Sequence, residues 1–152
     1  MNTAEVSLRE GKEDDIPQVL GLIQELAVFE KEPEAVVVSI DEMVRDGFGP
    51  APLYGLFVAE VNQRIVGTSI FYYRYSTWNG KCLYLEDLII TESYRGQGIG
   101  KRLFSKTLQK AKDEKCRKMN WQVLDWNTPA IKFYEDFDAT MDPEWLNGYI
   151  NL

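Results

Sequence analysis

The feature that most constrains the fold is a glycine-rich segment, Arg-Gly-Gln-Gly-Ile-Gly-Lys at positions 95–101, which separates an apolar run at 83–90 from a helical pattern. Glycine tolerates a positive φ and places no side chain between the backbone and a ligand. A glycine turn that opens a helix directs unpaired N–H groups and the positive end of the helix dipole toward one point. Because Arg95, Lys101 and Arg102 add positive charge there, the segment predicts a site for a phosphate-bearing cofactor.

Two well-known nucleotide loops do not match this segment. The P-loop pattern requires a glycine at position 95 and a hydroxyl residue after Lys101, where this chain has Arg95 and Arg102. The dinucleotide fingerprint G-x-G-x-x-G stands near a first strand, whereas this chain has G-x-G-x-G more than halfway along. The predicted ligand is therefore a phosphate-bearing cofactor of another class.

Length and composition are typical of one cytoplasmic domain. The 152 residues fit a single domain over 1–152, and no apolar run approaches the ~18 residues that a membrane span needs. The N-terminus lacks the basic and apolar regions of a signal peptide. Cys82 and Cys116 form no motif, so we expect two ordinary thiols in a reducing compartment.

The charge of the chain favours a cationic small-molecule partner. Seventeen Lys and Arg against 24 Asp and Glu give a net charge of −7, which disfavours nucleic acid and attracts cations. A charge of this size also keeps an ordinary protein soluble. There are no histidines, so we expect no metal site, and catalysis has to use carboxylates, tyrosine, backbone amides and water.

The first half of the chain predicts a strand, two helices and a hairpin. A strand at 5–9 precedes a helix that Asp14 or Asp15 caps, with Pro17 in its first turn and one apolar face. Ser39 and Glu42 form a capping-box pattern for a short second helix that Gly47 ends. Strands at 54–61 and 64–75 flank a short turn.

The second half predicts three more strands and two more helices. Asn79-Gly80 is a turn signal before a strand at 81–90, and a helix runs from Lys101 to about 114. Alternation at 118–124 predicts a strand, Thr128 caps a helix that begins at Pro129 and ends at 135, and a closing strand follows at 145–151.

This chain resembles the GNAT acetyltransferase superfamily. Arg95, Gly98 and Gly100 fill the acyl-CoA pattern Arg/Gln-x-x-Gly-x-Gly/Ala, and the predicted elements follow the GNAT order. From about Leu8 to Ala139 the chain is similar to the spermidine/spermine (diamine) acetyltransferases. The blocks that carry this likeness are LIQELAVFE at 22–30, DGFG at 46–49, YLEDL at 84–88, YRGQGIG at 94–100 and WNTPAIKFY at 126–134.

The resemblance implies an α/β (α+β) fold, in which a mixed, mostly antiparallel sheet is flanked by helices. It implies acetyl-CoA as the acetyl donor, Tyr134 as the general acid for the departing thiolate, and Glu86 as the group that faces the amine. Further substrate contacts would come from Phe29, Glu30 and Glu144. Cofactor contacts would come from the backbones of Leu88, Ile89 and Ile90, from the loop residues Arg95, Gly96, Gln97, Gly98, Ile99, Gly100 and Lys101, and from Asn127 and Pro129.

The residues alone leave structural alternatives open. Tyr134 lies among Phe133 and Phe137 and is also consistent with a core aromatic. The pair Glu86 and Asp87 is also consistent with a solvated strand edge, and Glu30 with a charge cluster at a helix end. Glu86 at an ordinary pKa near ~4.3 is a weak base, so it attracts the ammonium and passes its proton through water, or has a raised pKa.

We therefore expect an N-acetyltransferase that moves acetyl from acetyl-CoA to a primary amine by direct attack in a ternary complex. The first expected substrate is a diamine or polyamine. The alternatives are a lysine-like amino acid such as thialysine, a peptide amine, and a non-catalytic acyl-CoA-binding module. The resemblance also implies a homodimer.

Overall fold

A five-stranded sheet with four α-helices makes up the part of the chain that the computed structural model describes, residues 4–152. The strands are β1 (Ser7–Glu10), β2 (Gly55–Val61), β3 (Arg64–Ser76), β4 (Gly80–Ile90) and β5 (Met119–Asn120). The helices are α1 (Ile16–Phe29), α2 (Ile40–Phe48), α3 (Ile99–Asp113) and α4 (Thr128–Glu135), with short 3₁₀ turns at Glu13–Asp15 and Glu92–Tyr94.

The strand order is β1-β2-β3-β4-β5, with antiparallel pairing up to β4 and a parallel pair between β4 and β5. The predicted mixed, mostly antiparallel sheet is confirmed. The chain divides into two compact units. The first ends at Trp121 and holds the sheet and α1 to α3, and the second, Gln122–Leu152, holds α4.

Each face of the sheet packs against helices within the first unit. On one face, Ile16, Val19 and Leu22 of α1 and Met43 of α2 form a cluster with buried strand residues such as Ile70. On the other face, α3 packs against β2, β3 and β4 through a cluster that contains Phe57, Phe71, Leu83, Ile99, Leu103 and Ala111. The two alternating sets of strand side chains thus form separate apolar layers.

Local signals explain most of the element boundaries. Asn62 and Gln63 both have positive φ (49° and 65°), the geometry of a two-residue hairpin turn. The predicted capping box is present, because Glu42 N donates to Ser39 Oγ and Ser39 N donates to the Glu42 carboxylate. The helix α2 continues one residue past Gly47.

Asp15 is the N-cap residue of α1, as predicted, but without a capping hydrogen bond, and the predicted cap of α4 was wrong. Asp15 makes no capping hydrogen bond to α1, because Arg9 takes both of its oxygens at 2.7 and 2.9 Å and Lys12 N also donates to it. This Arg9 fork holds the pKa of Asp15 below its usual value. In α4 the cap is Asn127, whose Oδ1 accepts from Ala130 N at 3.3 Å, and Thr128 is already helical.

Of two strand predictions at the C-terminal side, one was too long and the other was wrong. The strand at 118–124 is only the two-residue β5, and 145–151 forms no strand in the described part of the chain. Alternating apolar and polar residues favour an extended conformation, but a strand forms only where a neighbouring strand is available for backbone hydrogen bonds. The large apolar side chains of the last segment are exposed, as Leu146 is at 96%. Among residues 4–152, no helix is long and apolar enough to cross a membrane.

Candidate active site

A β-bulge in β4 is the geometric origin of the candidate site. Ile70 of β3 pairs with Asp87, and the next residue, Phe71, pairs with Leu85, so Glu86 has no partner across the strand pair. Two residues of β4 therefore span the distance of one residue in β3. Bulges of this kind break the alternation of side chains and change the direction in which one of them points.

The bulge turns two consecutive carboxylates to the same side of the sheet. Asp87 shares a face with its partner Ile70, and Ile70 and Tyr72 lie two residues apart on β3 and share that face. Glu86 reaches the same face, because the Tyr72 hydroxyl donates to Glu86 Oε2 at 3.1 Å. This is the face on which α1 packs.

Asp87 lies in an unusual electrostatic environment. Burial, followed by the negative charges of Glu86 and Glu30, raises the pKa of Asp87 to about 6. Burial also raises the pKa of Glu30, the residue at the C-terminal end of α1. Within residues 4–152 the Asp87 carboxylate has no hydrogen bond and no ion pair. We call Glu30, Glu86 and Asp87 the acidic triad, and its charge favours a bound cation.

The family resemblance predicts Glu30 and Glu86 as site residues and does not predict Asp87. The structure brings the first two into electrostatic contact with Asp87. The signal for Asp87 was a second carboxylate inside an otherwise apolar strand. The sequence of the strand alone could not show that Asp87 is more buried than its neighbour Glu86.

Two tyrosines lie beside the acidic triad. The rings of Tyr72 and Tyr84, which are cross-strand partners, are 5.2 Å apart. Burial, followed by the charge of Glu86, raises the pKa of Tyr72 to about 12. Both phenols are therefore neutral at physiological pH and provide an aromatic floor beside the carboxylates.

The glycine-rich segment has the backbone geometry of an anion site. Gly96 and Gly98 have φ values of 74° and 80°, and a Cβ at either position would meet no atom within 4 Å. Gly98 is the N-cap of α3 and has no side chain that caps the helix. The first N–H groups of α3 thus have no side-chain cap at Gly98, and uncapped N–H groups of this kind suit a phosphate. The predicted phosphate contacts of Gln97, Ile99, Gly100 and Lys101 stay predictions.

Arg95 has a second role, which is to hold this segment in place. Its Nε donates to Ile90 O at 2.9 Å, and its guanidinium lies 3.7 Å from Glu25 and 5.5 Å from the centre of the Phe29 ring. Glu25 also accepts hydrogen bonds from Thr91 Oγ1 and from the backbone N–H of residue 92. These contacts join the end of β4, the turn after it and α1.

The edge of β4 beyond the bulge carries the predicted backbone contacts. β5 pairs only with Leu83 and Tyr84. Beyond Tyr84, no strand in the described part of the chain pairs with β4 on that side. The backbone around Leu88 and Ile89 is therefore an open strand edge, although Arg95 already occupies the carbonyl oxygen of Ile90.

The remaining predicted residues lie in the second unit. Tyr134 on α4 is buried, and its ring centre is 5.3 Å from that of Phe133. Asn127 uses its side chain to cap α4, and Pro129 is exposed in the first turn. Glu144 lies in an exposed irregular segment. The roles of these four residues stay predictions.

Comparisons with known proteins identify the family. Residues 20–138 match the acetyltransferase (GNAT) family. A thialysine N-epsilon-acetyltransferase of Bos taurus is 40% identical over 142 residues, which cover 88% of this chain and 84% of that protein. The spermidine/spermine N(1)-acetyltransferase-like protein 1 of Homo sapiens is 37% identical over 148 residues, which cover 91% of this chain and 21% of that protein.

A solved structure shows the same fold. The aminoglycoside N-acetyltransferase AAC(6')-Iy in complex with CoA superimposes with a TM-score of 0.77 at 18% identity, covering 99% of this chain and 97% of that one.

This chain belongs to the GNAT acetyltransferase family. It is an acetyl-transferring enzyme that acts on amines, and the family uses acetyl-CoA as the donor. The relatives support the lysine-like alternative better than the diamine that we expected first. Among residues 4–152, no group of three or more His, Cys, Asp or Glu side chains has a geometry for a metal ion.

Replacing Gly98 by alanine tests the phosphate site. We expect Gly98→Ala to lower the free energy of unfolding by about 1–2 kcal/mol, because alanine disfavours the left-handed conformation. We also expect acetyl-CoA to bind about tenfold more weakly, since the Cβ enters the space in front of the α3 N-terminus and disturbs about one charge-assisted hydrogen bond. Calorimetric titration and urea unfolding measure both quantities.

Gly80→Ala is the matched control. Gly80 has nearly the same φ, 78°, and the same open surroundings, but it is the first residue of β4, at the opposite end of that strand from the glycine segment. It should lose stability without losing cofactor affinity. Equal affinities for acetyl-CoA in the two variants would show that the loop is a structural turn only.

Proposed function

We propose that this enzyme transfers acetyl from acetyl-CoA to the side-chain amine of a lysine-like amino acid such as thialysine. The observation that carries the proposal is the acidic triad, in which Asp87 has no hydrogen bond and no ion pair among residues 4–152. The choice of substrate is supported by the similarity to a thialysine acetyltransferase that is 40% identical to this chain.

The triad suits the first chemical requirement of the reaction, which is loss of a proton from the substrate. An alkyl ammonium with a pKa of about 10.4 is almost entirely protonated at neutral pH and has no lone pair with which to attack. Three carboxylates attract that cation. Asp87, whose pKa is raised to about 6, is a better proton acceptor than an ordinary aspartate and is still ionised at pH 7.

Glu86 and Asp87 therefore take different roles in the proposal. Glu86 is held by the Tyr72 hydroxyl and positions the ammonium. Asp87 receives the proton, directly or through one water. The amine nitrogen then forms the bond to the thioester carbonyl carbon, and the C–S bond breaks as CoA leaves as a thiolate. The second proton, which the nitrogen gives up as the amide forms, neutralises that thiolate through water or Tyr134. No covalent intermediate with the enzyme forms.

The donor is placed by backbone groups. In the proposal, N–H groups of the glycine segment hold the pyrophosphate, and the open edge of β4 near Leu88 hydrogen-bonds the pantetheine arm and stabilises the developing oxyanion. Arg95 fixes the loop at the end of β4. Protonation of the thiolate by Tyr134, and assembly into a homodimer, stay predictions from the family resemblance.

Acetylation of a diamine or polyamine is the second candidate. The same triad favours it, because each additional positive charge on the substrate strengthens the attraction. The similarity to a spermidine/spermine acetyltransferase-like protein also favours it. A non-catalytic acyl-CoA-binding module gives no reason for a largely buried carboxylate beside two others, since such an arrangement destabilises the fold.

A substrate panel tests the proposed function. We expect thiol release from acetyl-CoA with thialysine at a higher kcat/KM than with lysine, ornithine, putrescine, cadaverine, spermidine, spermine or a lysine-containing peptide. Higher kcat/KM with spermidine or putrescine would favour the second candidate. No release with any amine, together with tight binding of CoA, would establish the non-catalytic module.

The role of Asp87 predicts a specific pH dependence. In the wild type, kcat/KM should rise with pH through about 6 as Asp87 loses its proton. Asp87→Asn should lower kcat/KM by about 10²- to 10³-fold, typical of a lost general base, and remove this rise. An unchanged rise in the variant would exclude Asp87 as the base.

Stability measurements distinguish this loss from misfolding. Because folding raises the pKa of Asp87, its contribution to stability is present below its ordinary pKa and is lost as pH rises through about 6. Asp87→Asn should therefore melt a few degrees above the wild type at pH 7.5 and show no such advantage at pH 4. The matched control Asp14→Asn, at an exposed position, should change neither activity nor this difference.

A further inference from the structure

Arg74 lies on the same face of the sheet as the acidic triad. It is two residues beyond Tyr72 on β3, and its cross-strand partner is Cys82, the neighbour of Tyr84 on that face. Its guanidinium carbon lies 5.9 Å from the centre of the Tyr84 ring. Arg74 is therefore an exposed cation at one end of the aromatic floor.

The guanidinium of Arg74 is not used inside the protein. Within residues 4–152 it makes no hydrogen bond and no ion pair. It contacts the ring of Tyr84, and its positive charge acts on the phenols of Tyr72 and Tyr84. Arg9 and Arg95, in contrast, are each bound by carboxylates. An exposed guanidinium with free donors is suited to bind a carboxylate in bidentate fashion.

The spacing between Arg74 and the triad fits a short zwitterion. The bulge places Glu86 opposite the step between Ile70 and Phe71, and Arg74 lies three to four residues further along β3. At ~3.3 Å per residue this is about 10–13 Å, which accommodates an extended lysine-like amino acid with a polar contact at each end. The rings of Tyr72 and Tyr84 lie between the two ends and match an apolar methylene or thioether chain.

We infer that Arg74 is a carboxylate subsite, which binds the α-carboxylate of an amino-acid substrate while the acidic triad binds the side-chain ammonium. The inference rests on the proposed function and adds the residue that selects an amino acid over a diamine. A lysine-like amino acid meets an opposite charge at both ends. A diamine of the same length would place a cation against Arg74, so the subsite rejects it.

The experiment compares thialysine with its decarboxylated counterpart, a diamine that differs only by the missing carboxylate. Steady-state kinetics with saturating acetyl-CoA are measured for the wild type, Arg74→Gln and Arg74→Lys. The matched control is Arg64→Gln, an exposed arginine at the start of the same strand.

Arg74→Gln should raise KM for thialysine about tenfold to a hundredfold, as expected for a lost charge-assisted hydrogen bond, with little change in kcat. KM for the decarboxylated diamine should stay the same or fall, because a repulsive charge has been removed. Arg74→Lys should have an intermediate KM for thialysine, since lysine keeps the positive charge and loses the bidentate hydrogen bonding of the guanidinium. Arg64→Gln should match the wild type with both substrates.

Two outcomes would overturn the inference and leave the proposed function standing. The first is a wild type that prefers thialysine and an Arg74→Gln variant with the same preference. The second is an equal loss with both substrates, which would assign Arg74 a structural role. A wild type that prefers the diamine would instead overturn both the proposed function and the subsite.

Discussion

The β-bulge at Glu86 is the constraint on which the candidate site depends. In a regular strand Glu86 and Asp87 would point to opposite faces of the sheet. The extra residue in β4 places both carboxylates on the face of Tyr72 and α1. The burial of Asp87, its repulsion by Glu86 and the approach of Glu30 then raise the pKa of Asp87. The fold thus maintains an arrangement that is unfavourable by itself and becomes favourable when a cation binds.

The same strand also connects the substrate side to the cofactor side. β4 ends at Ile90, whose carbonyl accepts from Arg95, and Arg95 lies near Glu25 of α1. Glu25 further binds the turn after β4 through Thr91. The start of the glycine segment is therefore fixed to both the sheet and the first helix. A backbone loop that is held in this way needs little reorganisation when it binds a phosphate.

Much of this architecture could be predicted from local signals in the sequence. The Ser39 capping box, the hairpin turn at Asn62 and the glycine segment each require a particular backbone geometry, and the structure has it. Local signals do not show which of several possible partners a side chain or a strand will bind. Asp15 carries a side chain that can cap a helix, but the guanidinium of Arg9, six residues earlier on β1, binds both of its oxygens. The segment 145–151 has the pattern of a strand but has no neighbour to pair with.

Only part of the candidate site could be predicted, because the rest depends on how two strands pair. The family resemblance indicated both Glu86 and Glu30. The importance of Asp87 and Arg74 follows from a change of register between β3 and β4, and register is a property of two strands together. No pattern within one strand shows which residue has no partner across the ladder.

Direct titration of Asp87 by NMR tests the central claim most closely. The carboxyl carbon of Asp87, assigned by its absence in Asp87→Asn, would be followed between pH 3 and pH 8 in the substrate-free enzyme. The account predicts a pKa of about 6, and a lower value in Glu86→Gln, which removes one of the neighbouring charges. Titration near the ordinary value of 3.8 would contradict it, because Asp87 would then be an ordinary solvated carboxylate.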